Sequence, residues 1–151
     1  MLSCFKVASV VSALLLISGR AVVAQTISVS GVPGLLRINA AIAGSEPISV
    51  STGSTYTVVT PNPANRTYKI TAQINTLMPT EVTLTATLAA PAGGTSVGPV
   101  ALDVTARDMV TGIPRNTNST QAITYQLSAT AAAGVIPSST RIVTFTVLKF
   151  P

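Results

Sequence analysis

Apolar residues alternate with threonine, serine and other polar residues in many short segments of this chain, and this spacing constrains the fold most strongly. The segment at residues 67–75 places Tyr68, Ile70, Ala72 and Ile74 at every second position. Successive side chains of a β-strand point to opposite faces, so such a segment has one apolar face and one polar face. Helical spacing does not recur in the same way. The pattern predicts an all-β protein.

Seven segments carry this alternation, and glycine or proline turn signals separate them. They are residues 26–30, 55–60, 67–75, 81–88, 100–106, 121–131 and 141–148. We therefore predict an immunoglobulin-like antiparallel β-sandwich of about 7–9 strands, built as a single domain over residues 25–151. We further expect a turn at residues 51–54 before the second segment. Residues 35–43 fit either a strand or a short helix, and residues 107–113 could hold one helical turn.

The first 24 residues have the pattern of a secretory signal peptide. Lys6 precedes an apolar run at residues 7–17, and small residues at 21–24 offer a cleavage site between Ala24 and Gln25. An uncleaved anchor is the alternative, but it would need a longer apolar run. We predict a signal-peptide helix over residues 1–24, removed to give a secreted, periplasmic or cell-surface protein with no transmembrane anchor after cleavage.

Cysteine and histidine usage restricts the chemistry that the chain could perform. The single cysteine, Cys4, lies in the predicted signal peptide, and the chain has no histidine. Cleavage would therefore leave no thiol for a disulfide, a metal site or a nucleophile. The four acids, Glu46, Glu81, Asp103 and Asp108, leave a glycosidase-type carboxylate pair open, but nothing in their spacing selects it. We expect no catalytic residues, no metal site and no cofactor.

The charge pattern also argues against nucleic acid as a partner. The formal net charge is +5 and the sequence pI is about 10.0. Only 9% of the residues are charged, and the basic residues are scattered rather than clustered. A nucleic-acid-binding surface needs a basic patch or stripe. We therefore expect a weakly charged surface that does not bind nucleic acid.

A family resemblance rests on the threonine-rich segment 121–131, the turn at 137–141 and the terminal strand at 142–148. With the predicted signal peptide, these segments resemble small secreted bacterial β-sandwich proteins of the pilin-like and spore-coat-U-like kind. Pilins of that kind are fibre subunits in which the N-terminal segment of one subunit supplies a strand missing from its neighbour. The resemblance implies that Thr26–Ser30 could be donated, with Ile27 and Val29 as alternating anchors.

These observations favour a non-enzymatic secreted or cell-surface structural protein. It would be a fibre or surface-layer subunit that pairs strand edges with other copies of itself. The alternative is a secreted binding or adhesion module that holds a cell-surface partner with loops at one end of the sandwich. Residues 107–119 are then the candidate binding loop, with Arg107, Arg115, Asn116 and Asn118 as its exposed polar residues.

Overall fold

A computed structural model of the chain describes residues 24–62 and 65–150. The predicted signal peptide therefore lies outside the described residues, apart from Ala24. The described part contains nine strands and one short 3₁₀ turn, Ala131–Ala133. The strands are β1 (Thr26–Ser30), β2 (Val50–Val59), β3 (Thr67–Ile74), β4 (Val82–Leu88), β5 (Thr95–Ser96), β6 (Val100–Ala101), β7 (Arg107–Pro114), β8 (Asn118–Ala129) and β9 (Val143–Phe150).

The strands form two antiparallel sheets, which confirms the predicted all-β sandwich. The five-stranded sheet has the order β1-β2-β8-β4-β6, and the four-stranded sheet has the order β5-β7-β3-β9. Every pair of neighbouring strands among the described residues is antiparallel. The apolar faces of the two sheets enclose the core.

Successive strands change sheet at every step from β2 to β9. Even-numbered strands lie in the five-stranded sheet and odd-numbered ones in the four-stranded sheet, with β1 joining β2 as the exception. Strands that follow one another along the chain therefore face each other across the core instead of forming hairpins. Strands β3 and β4, for example, are consecutive in the sequence, but their apolar faces lie on opposite sides of the same core. The same holds for β8 and β9.

The core follows the predicted alternation closely. On β3, Tyr68, Ile70, Ala72 and Ile74 are all at most 1% exposed. The remaining buried apolar side chains come from β2, β4, β7, β8, β9 and the segment after β6. They are Tyr56, Val58, Leu84, Ala86, Leu88, Leu102, Met109, Val110, Ile113, Ile123, Tyr125 and Val147.

Two local predictions in the first half of the chain are wrong. Residues 51–54 are not a turn, because β2 begins at Val50 and pairs with β8 through this stretch, Gly53 lying opposite Thr124. The long partner strand supplies backbone hydrogen bonds that outweigh the turn tendency of the small residues. Residues 35–43 form neither a strand nor a helix, and their one ladder contact is an isolated bridge between Ala41 and Pro47.

Asp103 ends the strand that the sequence predicts over residues 100–106. The carboxylate of Asp103 accepts a hydrogen bond from the backbone N–H of Thr105 at 2.6 Å, which closes a local turn. Strand β6 therefore stops at Ala101. The Arg107 guanidinium beside Asp103, followed by the Thr105 N–H bond, lowers the pKa of the Asp103 carboxyl.

Strand β7 replaces the predicted helical turn at residues 107–113 and contains two irregularities. Between the pairs Tyr68–Ile113 and Ile70–Val110, β7 contains one more residue than β3. Gly112 lies in this bulge and has φ +67°. This conformation suits glycine because it has no Cβ. A second register shift follows between Ile70 and Thr71. Both Met109 and Val110 are consequently buried, although they are adjacent in sequence.

The two sheets differ in charge. The five strands of the larger sheet contain no Asp, Glu, Lys or Arg. The strands of the smaller sheet carry Lys69, Arg107, Asp108 and Lys149. The polar positions of the larger sheet are mainly threonine and serine, and Thr57 and Thr120 share a hydrogen bond between their hydroxyls at 2.7 Å. One broad face of the molecule is therefore hydroxyl-rich and uncharged.

Candidate functional site

An apolar groove of about 1070 Å³ opens at one end of the sandwich. Its floor is the inner face of both sheets, with Leu84 and Leu127 on one side and Val143 and Phe145 on the other. Two connections border it, residues 31–38 after β1 and residues 130–141 between β8 and β9. Apolar side chains of these connections are exposed, notably Val32, Leu35 and Val135.

Two glutamates hold the connections around the groove in place. The Glu46 carboxylate accepts a hydrogen bond from the backbone N–H of Ala131. The Glu81 carboxylate accepts one from the Thr130 hydroxyl at 2.7 Å. Both acids are therefore used structurally beside the groove. Arg141, which lines it, donates to the backbone carbonyl of Leu77 at 2.9 Å.

The prediction of a binding loop at residues 107–119 is wrong, because most of this segment belongs to strands. Arg107 begins β7, and Asn118 begins β8, so only residues 115–117 connect the two strands. Arg107 lies at the far end of the eight-residue β7 from Arg115, a separation of about 25 Å. The structure brings Arg115, Asn116 and Asn118 together as exposed residues at one end of the sandwich. Arg107 is at the other end, ion-paired to Asp103 at 2.5 Å.

A buried threonine fixes the short 115–117 connection. The Thr60 hydroxyl donates to the backbone carbonyl of Pro114 at 2.8 Å and accepts from the backbone N–H of Thr117 at 2.9 Å. Asn116 has φ +57° and donates its N–H to the carbonyl of Pro61. These hydrogen bonds close this end of the sandwich, whereas the apolar groove lies at the opposite end, about 25–35 Å away along β8.

The two candidate anchors of the N-terminal strand occupy different environments. Strand β1 pairs with β2 of the same chain, with Ile27 opposite Val58 and Val29 opposite Tyr56. Ile27 is half-buried and packs against the core, whereas Val29 is 45% exposed at the groove. Of the two residues flanking the predicted cleavage site, Ala24 is exposed and Gln25 is half-buried. The predicted cut therefore falls immediately before β1.

Strand β9 is a long edge strand, which no feature of the sequence indicates. Of the described strands it pairs only with β3, and it spans eight residues, compared with two in each of the edge strands β5 and β6. Strand β1, at the edge of the other sheet, lies beside it. The alternation of apolar and polar residues identifies a strand but does not indicate which strands lie beside it. The position of β9 at the edge therefore follows only from the strand order of the folded sheet.

Burial in the core shifts the pKa of two tyrosines, Tyr56 and Tyr125. The Tyr56 hydroxyl donates to the carbonyl of Ala89 at 2.6 Å, and burial raises the pKa of Tyr56 to about 12. Burial also raises the pKa of Tyr125. Within residues 24–62 and 65–150, no group of three or more His, Cys, Asp and Glu side chains could hold a metal ion.

No helix in the part of the chain that the structure describes is long and apolar enough to cross a membrane. Comparisons of the chain with protein-family models, curated proteins and solved structures found no match. The features of the chain that bear on its function are the groove, the strand edges and the sequence pattern of the N-terminus.

Proposed function

We propose that this protein is a non-enzymatic secreted or cell-surface structural protein whose copies associate through strand edges. The observation that supports this most directly is the eight-residue edge of β9. Proteins usually shorten, bend or cover such edges because the unpaired N–H and C=O groups attract strands of other chains. The N-terminal strand β1 supplies a second edge, which lies close to β9.

The N-terminal sequence supports the proposed compartment. Its basic residue, short apolar run and small residues before Gln25 fit an exported precursor. Cleavage after Ala24 would leave β1 complete, because the strand starts at Thr26. We expect N-terminal sequencing of protein exported by a bacterial host to begin at Gln25. Retention of residues 1–24 in the cytoplasm would contradict the proposed export.

Self-association can be measured by sedimentation velocity over a wide concentration range. We expect reversible oligomers, and deletion of Thr26–Ser30 shows whether β1 contributes. A matched control, Thr26→Ser with Ser28→Thr, changes only exposed side chains of that strand and should leave association unchanged. A full chain that stays monomeric at every concentration would overturn the proposal.

The apolar groove favours a second candidate function, a binding module that uses the groove end of the sandwich. Exposed apolar side chains bordering a concave apolar site are typical of ligand or partner sites. The double variant Leu35→Ser, Val135→Ser should reduce binding of an apolar fluorescent dye without unfolding the protein, since both side chains are exposed. Val97→Ser is the control, because Val97 is also exposed but does not line the groove. Equal dye binding by all three proteins would count against this function.

A further inference from the structure

The free edge of β9 has a defined set of hydrogen-bonding groups. Asn75, the residue after β3, donates its N–H to the carbonyl of Ile142, the residue before β9, at 3.1 Å, one position beyond the last pair of the β3–β9 ladder, Ile74 with Val143. In an antiparallel ladder the residues that bond to a neighbour alternate with those that point away from it. The N–H and C=O groups of Val143, Phe145, Val147 and Lys149 therefore point away from β3, toward the open edge.

We infer that β9 pairs with β9 of a second copy around a two-fold axis at Thr146. In this antiparallel register Val143 lies opposite Lys149 of the second copy, and Phe145 lies opposite Val147. All the outward N–H and C=O groups of both strands are then hydrogen-bonded. Moving the two-fold axis by one residue in either direction leaves a terminal residue of the set without a partner. The self-complementary edge thus selects one register.

Side-chain placement fits the same register. Val143, Phe145 and Val147 face the core side of the sheet, whereas Thr144, Thr146 and Leu148 are exposed on the other side. Residues directly opposite each other share a face, so Phe145 meets Val147 of the second copy on the core side, and Val143 meets Lys149. The only charged residue of the strand, Lys149, comes to lie about 20 Å from its symmetry mate, which is beyond the screening length in physiological salt.

This pairing rests on the proposed self-association and specifies its geometry. The four-stranded sheets of two copies would join into one continuous eight-stranded sheet. Such an interface is closed, since each copy has a single β9. Growth beyond a dimer would then need a different contact, and β1 is the longest of the remaining edges among the described strands.

Single-cysteine variants test the register directly. The starting protein is the full chain with the substitution Cys4→Ser, which removes its single cysteine. Thr146 lies opposite its symmetry mate at a Cα separation of about 4.5 Å, within the range of a disulfide. Thr146→Cys should form a disulfide-linked dimer under mild oxidation. Thr144→Cys is the matched control, because residue 144 faces Leu148 and lies about 14 Å from its own mate.

Charge variants provide a measurement that does not depend on oxidation. Thr146→Lys places two like charges directly opposite each other and should weaken the dimer about fivefold by sedimentation. Thr144→Lys adds the same charge at an equally exposed position opposite Leu148 and should change the dissociation constant less than twofold, about 0.4 kcal/mol. Circular dichroism of each variant confirms that the fold is kept.

The outcomes separate this inference from the proposed function. Crosslinking of Thr146→Cys but not of Thr144→Cys, in a protein that still associates without Thr26–Ser30, supports the β9 two-fold. Equal crosslinking of both variants overturns it. Association that disappears when Thr26–Ser30 is deleted also overturns it, although self-association through strand edges stands. A monomeric chain without crosslinks contradicts both.

Discussion

Two tyrosines that are equally inaccessible to solvent differ by one hydrogen bond. Tyr56 and Tyr68 are both 0% exposed. The hydroxyl of Tyr56 donates to the carbonyl of Ala89, whereas the hydroxyl of Tyr68 has no partner among the described residues. A buried hydroxyl without a partner destabilises the folded state because it loses its hydrogen bonds to water. The pair therefore offers an internal comparison of a satisfied and an unsatisfied core hydroxyl.

We predict that removing these two hydroxyls affects stability differently. Tyr56→Phe should lower the free energy of unfolding by about 1 kcal/mol, because it removes a bond and leaves the Ala89 carbonyl unpaired. Tyr68→Phe should leave the stability unchanged or raise it. Urea unfolding followed by circular dichroism measures both. A loss of stability in Tyr68→Phe as large as that in Tyr56→Phe would show that the Tyr68 hydroxyl has a partner.

The raised pKa of Tyr56 makes stability depend on pH in the alkaline range. Its pKa is raised from 10.0 to about 12 in the folded protein, so the unfolded chain loses this proton first. The stabilising contribution is complete below pH 10 and is lost as pH rises toward 12. We predict that the urea midpoint falls over this interval and falls less in Tyr56→Phe. Tyr125, whose pKa is also raised, accounts for a remaining decrease in that variant.

At the scale of single elements, β1 depends on one of its two apolar residues. Ile27 packs against the core, whereas Val29 is partly exposed. Ile27→Ala should cost about 1–2 kcal/mol of unfolding free energy, and Val29→Ala less than about 0.5 kcal/mol. Thermal unfolding of the two variants beside the parent protein measures the difference. Equal losses would mean that Val29 is buried by a contact outside the described residues.

The irregular strand β7 gives a second prediction about an element. Gly112 has φ +67°, and a Cβ there would meet no atom within 4 Å, so the cost of Gly112→Ala is purely conformational. We expect a loss of about 1 kcal/mol in unfolding free energy. Gly53→Ala in β2 is the control, because Gly53 has no positive φ and a Cβ there would make an ordinary contact of 3.4 Å with the Ile123 carbonyl oxygen. The control should be neutral or stabilising.

Strand existence was predictable from the sequence, but strand boundaries and partners were not. The alternation on β3 predicted its buried face residue by residue, because the period of two is a property of the strand itself. The turn expected at residues 51–54 failed because β8 pairs with that stretch, and the strand expected through Asp103 failed because its carboxylate binds the nearby backbone. Both failures come from interactions that local spacing does not encode.

The candidate sites show the same division. Ile27 and Val29 were correctly assigned to one strand, but only the fold shows that Ile27 alone packs against the core. The polar residues predicted as one loop are divided between the two ends of β7. The apolar groove and the β9 edge arise from segments far apart in the chain, and no pattern within either segment indicates them.

At the scale of the whole molecule, electrostatics contributes little to stability. The described residues form two ion pairs, Lys69 with Asp108 at 2.9 Å and Arg107 with Asp103, both partly exposed. Exposed pairs contribute at most about 1 kcal/mol each and are screened by salt. We predict that the free energy of unfolding changes by less than about 1 kcal/mol between low and moderate sodium chloride concentrations. A change of several kcal/mol would indicate an additional charge network.

The alternation of successive strands between the sheets has a consequence for how the chain reaches its native state. Apart from β1 with β2, every ladder joins strands separated by at least one complete strand of the other sheet. The central strand of the larger sheet, β8, and the edge strand that pairs with β3, β9, are the last of the described strands to be synthesised. Contact order is therefore high, and folding in milliseconds to seconds is expected. An emerging chain therefore cannot complete either sheet before β8 and β9 have been synthesised, so the strands made earlier wait for their partners.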